Sequence, residues 1–196
     1  MKVHDYHEGN LELQERFQTT ALADYMKTKR VTETVDDAQK KFIESANMFF
    51  LATCDHRGLP TCSYKGGDPG FVRVVNEKTI AFPSYDGNGK YQSMGNLLKN
   101  PNVGILFVDF EGQERLRLQG VGSITEDDEL LPDYPEAQFI VRVELTEIYV
   151  NCPRYVHKYK FVEASPFVPR AGKETPEPEW KKRGELKDLL PKKSHD

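Results

Sequence analysis

Between Met48 and Val150 the chain is a succession of short apolar segments separated by turn-forming clusters, with only short helical patterns among them. Residues 48–54 form an apolar run of strand length, Asp55-His-Arg-Gly58 supplies turn chemistry, and residues 60–65 read as the returning strand. The breaker cluster Gly66-Gly-Asp-Pro-Gly70 precedes a second pair, 71–75 and 79–82, across Asn76-Glu-Lys78. Residues 103–110 and 115–124 read as long strands joined at Glu111-Gly112, and 137–145 with 148–150 give the last strand. Six or so strands in hairpin order predict an antiparallel barrel with flanking helices, because the βαβ rhythm of a parallel sheet is missing.

The flanks differ from this middle. Asn10 is placed to cap an amphipathic helix of about four turns whose apolar residues Leu13, Phe17, Ala21, Leu22, Tyr25 and Met26 share one face. That face predicts packing on the domain or on a second subunit. A membrane role fits poorly, because Glu12, Glu15 and Asp24 sit on the polar face with few basic residues. Thr34 followed by Val35-Asp36-Asp37 has the form of a capping box and predicts a second helix over 35–46. Residues 92–99 form a short helix stopped by Asn100-Pro101, and residues 125–128 begin another that ends at Pro132. After Phe161 the chain turns Pro-rich and charged, through Pro166, Pro169, Pro176, Pro178 and Pro191. Such a tail is either disordered or wraps a neighbouring surface with Trp180 and Leu186 as anchors. The resulting division is a helical extension over 1–39, a barrel domain over 40–162 and a tail over 163–196.

Composition removes several function classes. In 196 residues the formal net charge is −4, so the chain lacks the positive field of a nucleic-acid or anionic-membrane binder. No apolar run approaches the roughly 20 residues that span a bilayer, and the N-terminus lacks the apolar segment of a signal peptide, which predicts a cytoplasmic protein. Cys54, Cys62 and Cys152 form no C-x-x-C pair, which argues against a disulfide framework and a structural zinc site. Cys54 and Cys62 sit in strand-like runs and are expected to be small buried hydrophobes. The histidines His4, His7, His56, His157 and His195 lack metal-ligand spacing, with only adventitious binding open to His4 and His7. There is no G-x-S-x-G elbow, no H-E-x-x-H and no carboxylate pair that stands out, so no residue is assigned a catalytic role. Any chemistry here belongs to a cofactor.

The informative stretch is Phe82-Pro-Ser-Tyr-Asp-Gly-Asn-Gly-Lys-Tyr-Gln-Ser-Met-Gly-Asn96. It is neither a dinucleotide fingerprint nor a P-loop, since Lys90 follows Gly89 directly and no long helix follows. Ser84, Asn88, Lys90 and Ser93 offer the hydroxyls, amide and cation that a phosphate monoester needs, and a solvated Gly-rich turn is the competing reading. Lys65, just before Gly66-Gly67, is either a further cation for the same ligand or an ordinary surface lysine. Alternation puts Arg115, Arg117 and Gln119 on one face of their strand, as a solvated face or an anion site.

Taken in order, Phe49-Phe-Leu-Ala-Thr53, Gly58-Leu-Pro60, Ala81-Phe-Pro-Ser84, Asn100-Pro-Asn-Val-Gly-Ile-Leu-Phe107, Arg115-Leu-Arg-Leu-Gln-Gly120 and the Cys-Pro segment at Cys152 resemble the pyridoxamine 5′-phosphate oxidase-like family of FMN-binding split β-barrels. The resemblance covers roughly residues 40–160. It implies a mainly β fold with flanking helices, a six-stranded antiparallel split β-barrel, and a homodimer with FMN at two sites in its interface. It places Ser63, Tyr64 and Lys65 beside the flavin ring, Pro83 and Ser84 near the ribityl chain, and Lys90, Gln92 and Ser93 on the phosphate, within the loop that also holds Asn88. Arg115 and Arg117 are to reach the ring or phosphate from the later strand, with Arg154 and the tail around Trp180 completing the site from the other subunit. Oxidases proper carry Arg-x-Val-Leu-Leu-Lys where this chain has Ser63-Tyr-Lys-Gly-Gly67, and an Arg-Lys pair where it has Gln92-Ser93. The resemblance therefore implies a flavin oxidoreductase without implying vitamin B6 as substrate. The reading from a different class is a non-catalytic module that stores or senses a flavin or haem on the same barrel.

Overall fold

Alternation along the strands decides which residues become core. The computed structural model describes residues 6–187, 189 and 190, so His4, Pro191 and His195 lie outside it. Its elements are α1 (Glu8–Arg16), α2 (Thr20–Arg30), β1 (Val31–Thr32), α3 (Asp37–Ser45), β2 (Met48–Cys54), β3 (Pro60–Gly66), β4 (Arg73–Asn76), β5 (Thr79–Ser84), α4 (Gln92–Leu97), β6 (Asn102–Asp109), β7 (Glu114–Thr125), β8 (Phe139–Val150) and α5 (Gly184–Lys187), with 3₁₀ turns at Leu131–Asp133 and Glu179–Lys182. The sheet is antiparallel in the order β3-β2-β6-β7-β8-β5-β4, with β1 paired to β8. Its two edges, β3 and β4, do not pair with each other, so the sheet stays open. Eight strands replace the expected six partly because β1 is two residues long and carries no readable pattern.

One face of this sheet is apolar. Phe49 and Leu51 of β2, Ile105 and Phe107 of β6, Leu116 and Leu118 of β7, and Val141 and Val143 of β8 are buried together with Ile80 and Phe82 of β5. Phe49 is the hub, with ring centroids 4.9 Å from Phe82, 5.3 Å from Phe107 and 5.8 Å from Phe71. In β7, Leu116 and Leu118 point inward while Arg117 and Gln119 point outward, as the alternation requires. Gly120 sits at a register shift against β8, where an added Cβ would lie 2.3 Å from the Glu144 carbonyl oxygen.

Several local expectations change. The single N-terminal helix is two helices, because Gln18 adopts a left-handed φ of 55° and breaks the run. Asn10 is not the cap but the third helical residue: His7 Nδ1 accepts from Gly9 N–H, and Asn10 Oδ1 accepts from His7 N–H. The apolar face expected to be buried is left uncovered by the described residues, since neither α1 nor α2 buries a residue. The cap of α3 is Asp36 rather than Thr34; Asp36 Oδ1 accepts from Gln39 N–H at 2.7 Å and the Gln39 side chain answers at 3.0 Å. Cys54 is half-buried and Cys62 exposed, because Cys62 falls on the outward register of β3.

No helix forms at 125–128. Strand β7 runs through Thr125, and Asp128 turns inward to take two hydrogen bonds from Arg142, at 2.6 and 2.9 Å. The Arg142 hydrogen bond holds the Asp128 carboxyl below its usual range. Asp128→Asn should therefore cost about 2 kcal/mol at neutral pH, because a hydrogen-bonded charge pair is broken. A depressed carboxyl pKa gives stability that is present above the ordinary value and lost as pH falls through the folded value. In urea melts the difference from wild type should accordingly shrink under acid conditions.

The tail is not loose where it is described. Phe110 C=O accepts from Tyr159 N–H at 3.2 Å while their rings meet edge to face at 5.2 Å. Glu111 accepts from Phe161 N–H at 2.7 Å. Arg170 grips Asp68 with two bonds of 2.6 Å, and Thr175 donates to Glu136 at 2.7 Å. Of the two readings the sequence left open, the tail wraps, and the surface it wraps is its own domain. Among the described residues no helix is long and apolar enough to cross a membrane.

Candidate ligand-binding cleft

Strand β3 is an edge strand, so one of its faces can serve as a wall. Thr61, Ser63 and Lys65 alternate on the same side as buried Thr53, Leu51 and Phe49 of β2, their register partners. The opposite wall begins where β5 ends at Ser84. From there the chain reverses through Gly89 (φ 75°) and Tyr91 (φ 47°) into α4, with Asn88 Oδ1 accepting from Lys90 N–H at 3.1 Å. Tyr91 is a non-glycine residue in the left-handed region, a conformation that has to be held by its surroundings.

A polar ladder fastens α4 to the β2–β3 hairpin. Ser93 Oγ donates to Ser63 Oγ at 3.1 Å, and Asn96 Nδ2 donates to Thr53 Oγ1 at 3.0 Å, with Thr61 Oγ1 2.9 Å from Thr53 Oγ1. Leu97 closes the other end against Gly122, where a Cβ would come within 2.7 Å of Leu97 Cδ2. Asn96 is buried, so Asn96→Ala deletes the hydrogen bond to Thr53 Oγ1 that ties α4 to the hairpin and leaves a void in its place. The expected cost is about 1–2 kcal/mol, seen as a lower thermal midpoint together with weaker binding by the loop that α4 anchors.

Between these walls lies a cleft of about 480 Å³, lined by Ser63 and Lys65, by residues 84–94, and by Pro178, Trp180 and Lys181 from the tail. This is within the size range of small-molecule sites. Three lysines line it against a single aspartate, Asp86, and Asp86 is ion-paired with Lys181. Lys65 is different. It is half-buried, desolvation lowers its pKa, and among the described residues no carboxylate pairs with it. Burial likewise pushes the Tyr85 hydroxyl up to about 12, so it stays a neutral donor. A desolvated ammonium without an acid partner gains from any anionic ligand that reaches it.

Of the residues singled out from sequence, Ser63, Lys65, Ser84, Asn88, Lys90, Gln92 and Ser93 come together in this cleft. Tyr64 faces the other side of β3, edge to face with Phe50 at 6.1 Å, and borders a separate hollow. Pro83 is buried inside β5 opposite Ile140. Arg115 donates to the Cys152 carbonyl, Arg117 lies on the outer sheet face, and Arg154 is exposed over the Tyr155 ring at 6.0 Å. These five do not line the cleft of their own chain. Tyr85, Asp86, Tyr91, Met94 and Lys181 line the cleft without having been singled out from sequence, and Trp180 reaches it from the same chain instead of from another subunit. The tyrosines flanking Asp86–Lys90 were a usable signal for flat ligand-facing surfaces; Lys181 left none.

Residues 35–161 match the family of pyridoxamine 5′-phosphate oxidases. The chain belongs to that family. Solved structures agree at the level of fold. HupZ from Group A Streptococcus, in a single-site variant, is 18% identical over 60% of this chain and 99% of its own, with a TM-score of 0.50. A Lactobacillus delbrueckii protein assigned to the pyridoxamine 5′-phosphate oxidases is 20% identical over 60% and 95%, also with a TM-score of 0.50. No curated relative matches this chain. The pyridoxamine 5′-phosphate oxidase match stops at Phe161, so the tail segment that brings Trp180 and Lys181 to the cleft lies outside it, as do α1 and α2.

Proposed function

We propose that this chain is a flavin-binding oxidoreductase that holds FMN in the cleft beside residues 84–94 and works as a homodimer. The observation that carries the reading is Lys65, a desolvated cation with no acid partner among the described residues, in a cleft lined by three serine hydroxyls and by Lys90, which has no ion pair among the described residues either. Three lysines against one aspartate leave two positive charges, which suits the roughly two negative charges of a phosphate monoester. Ser84, Lys90, Gln92 and Ser93 are the phosphate side of the cleft. Ser63 and Lys65 are the ring side, where Tyr85, Tyr91 and Trp180 offer flat surfaces for stacking. Bound FMN supplies hydride transfer at its N5. The chain's own contribution is to bind and orient, with Trp180 and Met94 keeping water from the cleft and Tyr85 available as a neutral hydroxyl donor. The segment Ser63-Tyr-Lys-Gly-Gly67 departs from the oxidases proper, and the reading therefore names no vitamin B6 substrate.

The homodimer is supported by the outer face of the sheet. There Phe50, Leu106 and Val108 are half-exposed and Ala52 and Val121 exposed, although β2, β6 and β7 are interior strands of the sheet. Pairing two such faces would cover them, and an obligate interface of this kind buries more than about 2,000 Å² in total. Arg115, Arg117 and Arg154, which lie away from the cleft of their own chain, are then available to the partner's.

The test is a visible absorption spectrum of the freshly purified protein, followed by titration with FMN, FAD and haemin and by anaerobic addition of NADH or NADPH. Tightest binding of FMN and bleaching by a nicotinamide donor are expected. Haemin binding without flavin binding would overturn the reading, and FMN binding without bleaching would leave a carrier rather than an oxidoreductase.

A further inference from the structure

Strand β3 ends between two cavities. Lys65 lines the cleft, while Gly66 and Gly67 line a second hollow of about 1200 Å³. Tyr85 lines both and is their common wall. Of the outer-face residues assigned to pairing of two copies, only Val108 borders this hollow, so it lies at the margin of that face.

The tail builds the far wall. Residues 159–161 and 163–168 line the hollow as a strap fixed at both ends. Tyr159 and Phe161 N–H donate to Phe110 and Glu111 at one end, and Arg170 holds Asp68 at the other. A turn between them is fastened by Ser165 Oγ, which accepts from Phe167 N–H at 3.2 Å. The lining is rich in rings. Phe42 and Phe110 are half-buried, and Tyr64, Tyr159, Phe161 and Phe167 are between 49% and 62% exposed. Uncovered rings gathered in one concave surface suit a flat ligand.

Charge narrows the ligand further. Asp68, Asp109, Glu111 and Glu163 line the hollow against one lysine, Lys160. Asp68 is taken by Arg170, and among the described residues the other three carboxylates have no ion pair. Four carboxylates against Lys160 and Arg170 leave two negative charges, opposite in sign to the excess in the cleft next door. Such a lining attracts a cation, which the aromatic faces also favour, and repels an anion of the same shape.

We infer that the hollow is a second ligand site, that it takes a flat aromatic molecule carrying a positive charge, and that this is the substrate's place beside the cofactor. The substrate role rests on the flavin reading above, whereas the binding role stands without it. Residues 163–168 lie beyond the segment matching the family, so this wall is the chain's own addition to the barrel.

The experiment titrates the full chain, with and without saturating FMN, with N-methylacridinium and with acridine-9-carboxylate, two probes of one shape and opposite charge, by isothermal calorimetry. The same titrations are run on Phe161→Ala/Phe167→Ala, whose rings are about half exposed so that the fold stands without them, and on Glu163→Lys. Expected is one bound cation per chain in either FMN state, with the anion at least about tenfold weaker. The double variant should weaken the cation at least about tenfold, and Glu163→Lys should narrow the gap between the probes. No cation binding, equal binding of both probes, or displacement of the cation by FMN, which places it in the cleft, each overturns the inference. A chain that ignores FMN yet selects the cation removes the flavin reading and keeps the hollow as a site. An FMN-binding chain whose affinity for the cation is the same in the double variant does the reverse.

Discussion

Lys65→Met should weaken FMN binding by about 100-fold, the loss expected when a charge-assisted contact in a partly dehydrated site is deleted, while making the ligand-free protein more stable. The two effects have opposite signs for one reason. Burial lowers the pKa of Lys65 with no acid partner among the described residues to offset it, so the ligand-free fold bears the cost of dehydrating the ammonium. Between its depressed folded value and the ordinary lysine value the unfolded chain binds more protons than the folded one, so stability rises with pH across that range. The methionine variant lacks this dependence. Flavin fluorescence titration reads the first effect, and urea melts at a series of alkaline pH values read the second. If Lys65→Met destabilises the free protein and leaves FMN affinity unchanged, the lysine is a structural residue and the cleft loses its main ligand-binding group.

Phe49→Ala should be the most damaging single truncation among the core residues, at about 3–5 kcal/mol. Its ring is fully buried and contacts three others, from Phe71, Phe82 and Phe107, so removing it opens a cavity shared by β2, β5 and β6. Domains of this kind are stable by about 5–15 kcal/mol, so much of the total is at stake. Phe49 is also the register partner of Lys65, and a slackened β2–β3 hairpin misplaces the cleft wall as well. Leu98→Ala is the matched control: Leu98 is 71% exposed, and the change should stay within about 0.5 kcal/mol in the same denaturant melts. A cost for Phe49→Ala below about 1 kcal/mol would mean that the aromatic cluster is not the centre of packing.

The strands were legible because their signals are local. Alternation in residues 115–119 sorted leucines from arginines, and Asp55-His-Arg-Gly58 marked a turn in which Asp55 Oδ1 accepts from the backbone of Arg57 and Leu59. The loop and β3 residues that share the cleft were legible for a similar reason, since one wall is a strand face and the other a continuous segment. What was not legible depends on distance or on unmarked conformation. Gln18 carries no sign that it will adopt a positive φ, yet it splits one helix into two. The path of the tail is fixed by pairs 102, 39 and 95 residues apart, Arg170 with Asp68, Thr175 with Glu136 and Lys181 with Asp86, which no spacing rule connects. The alternating arginines had two readings in sequence, and the face they occupy is turned away from the cleft of the chain that carries them.

A crystal structure of the FMN complex decides where the phosphorylated ring system sits. The phosphate is expected within hydrogen-bonding distance of Lys90 and of the Ser84 or Ser93 hydroxyl, with the ring beside Ser63 and Lys65 and Trp180 of the same chain against it. Density for FMN in the hollow bordered by Tyr64 and Phe161, or on the outer sheet face with Lys65 left facing solvent, would rule out the cleft as the flavin site.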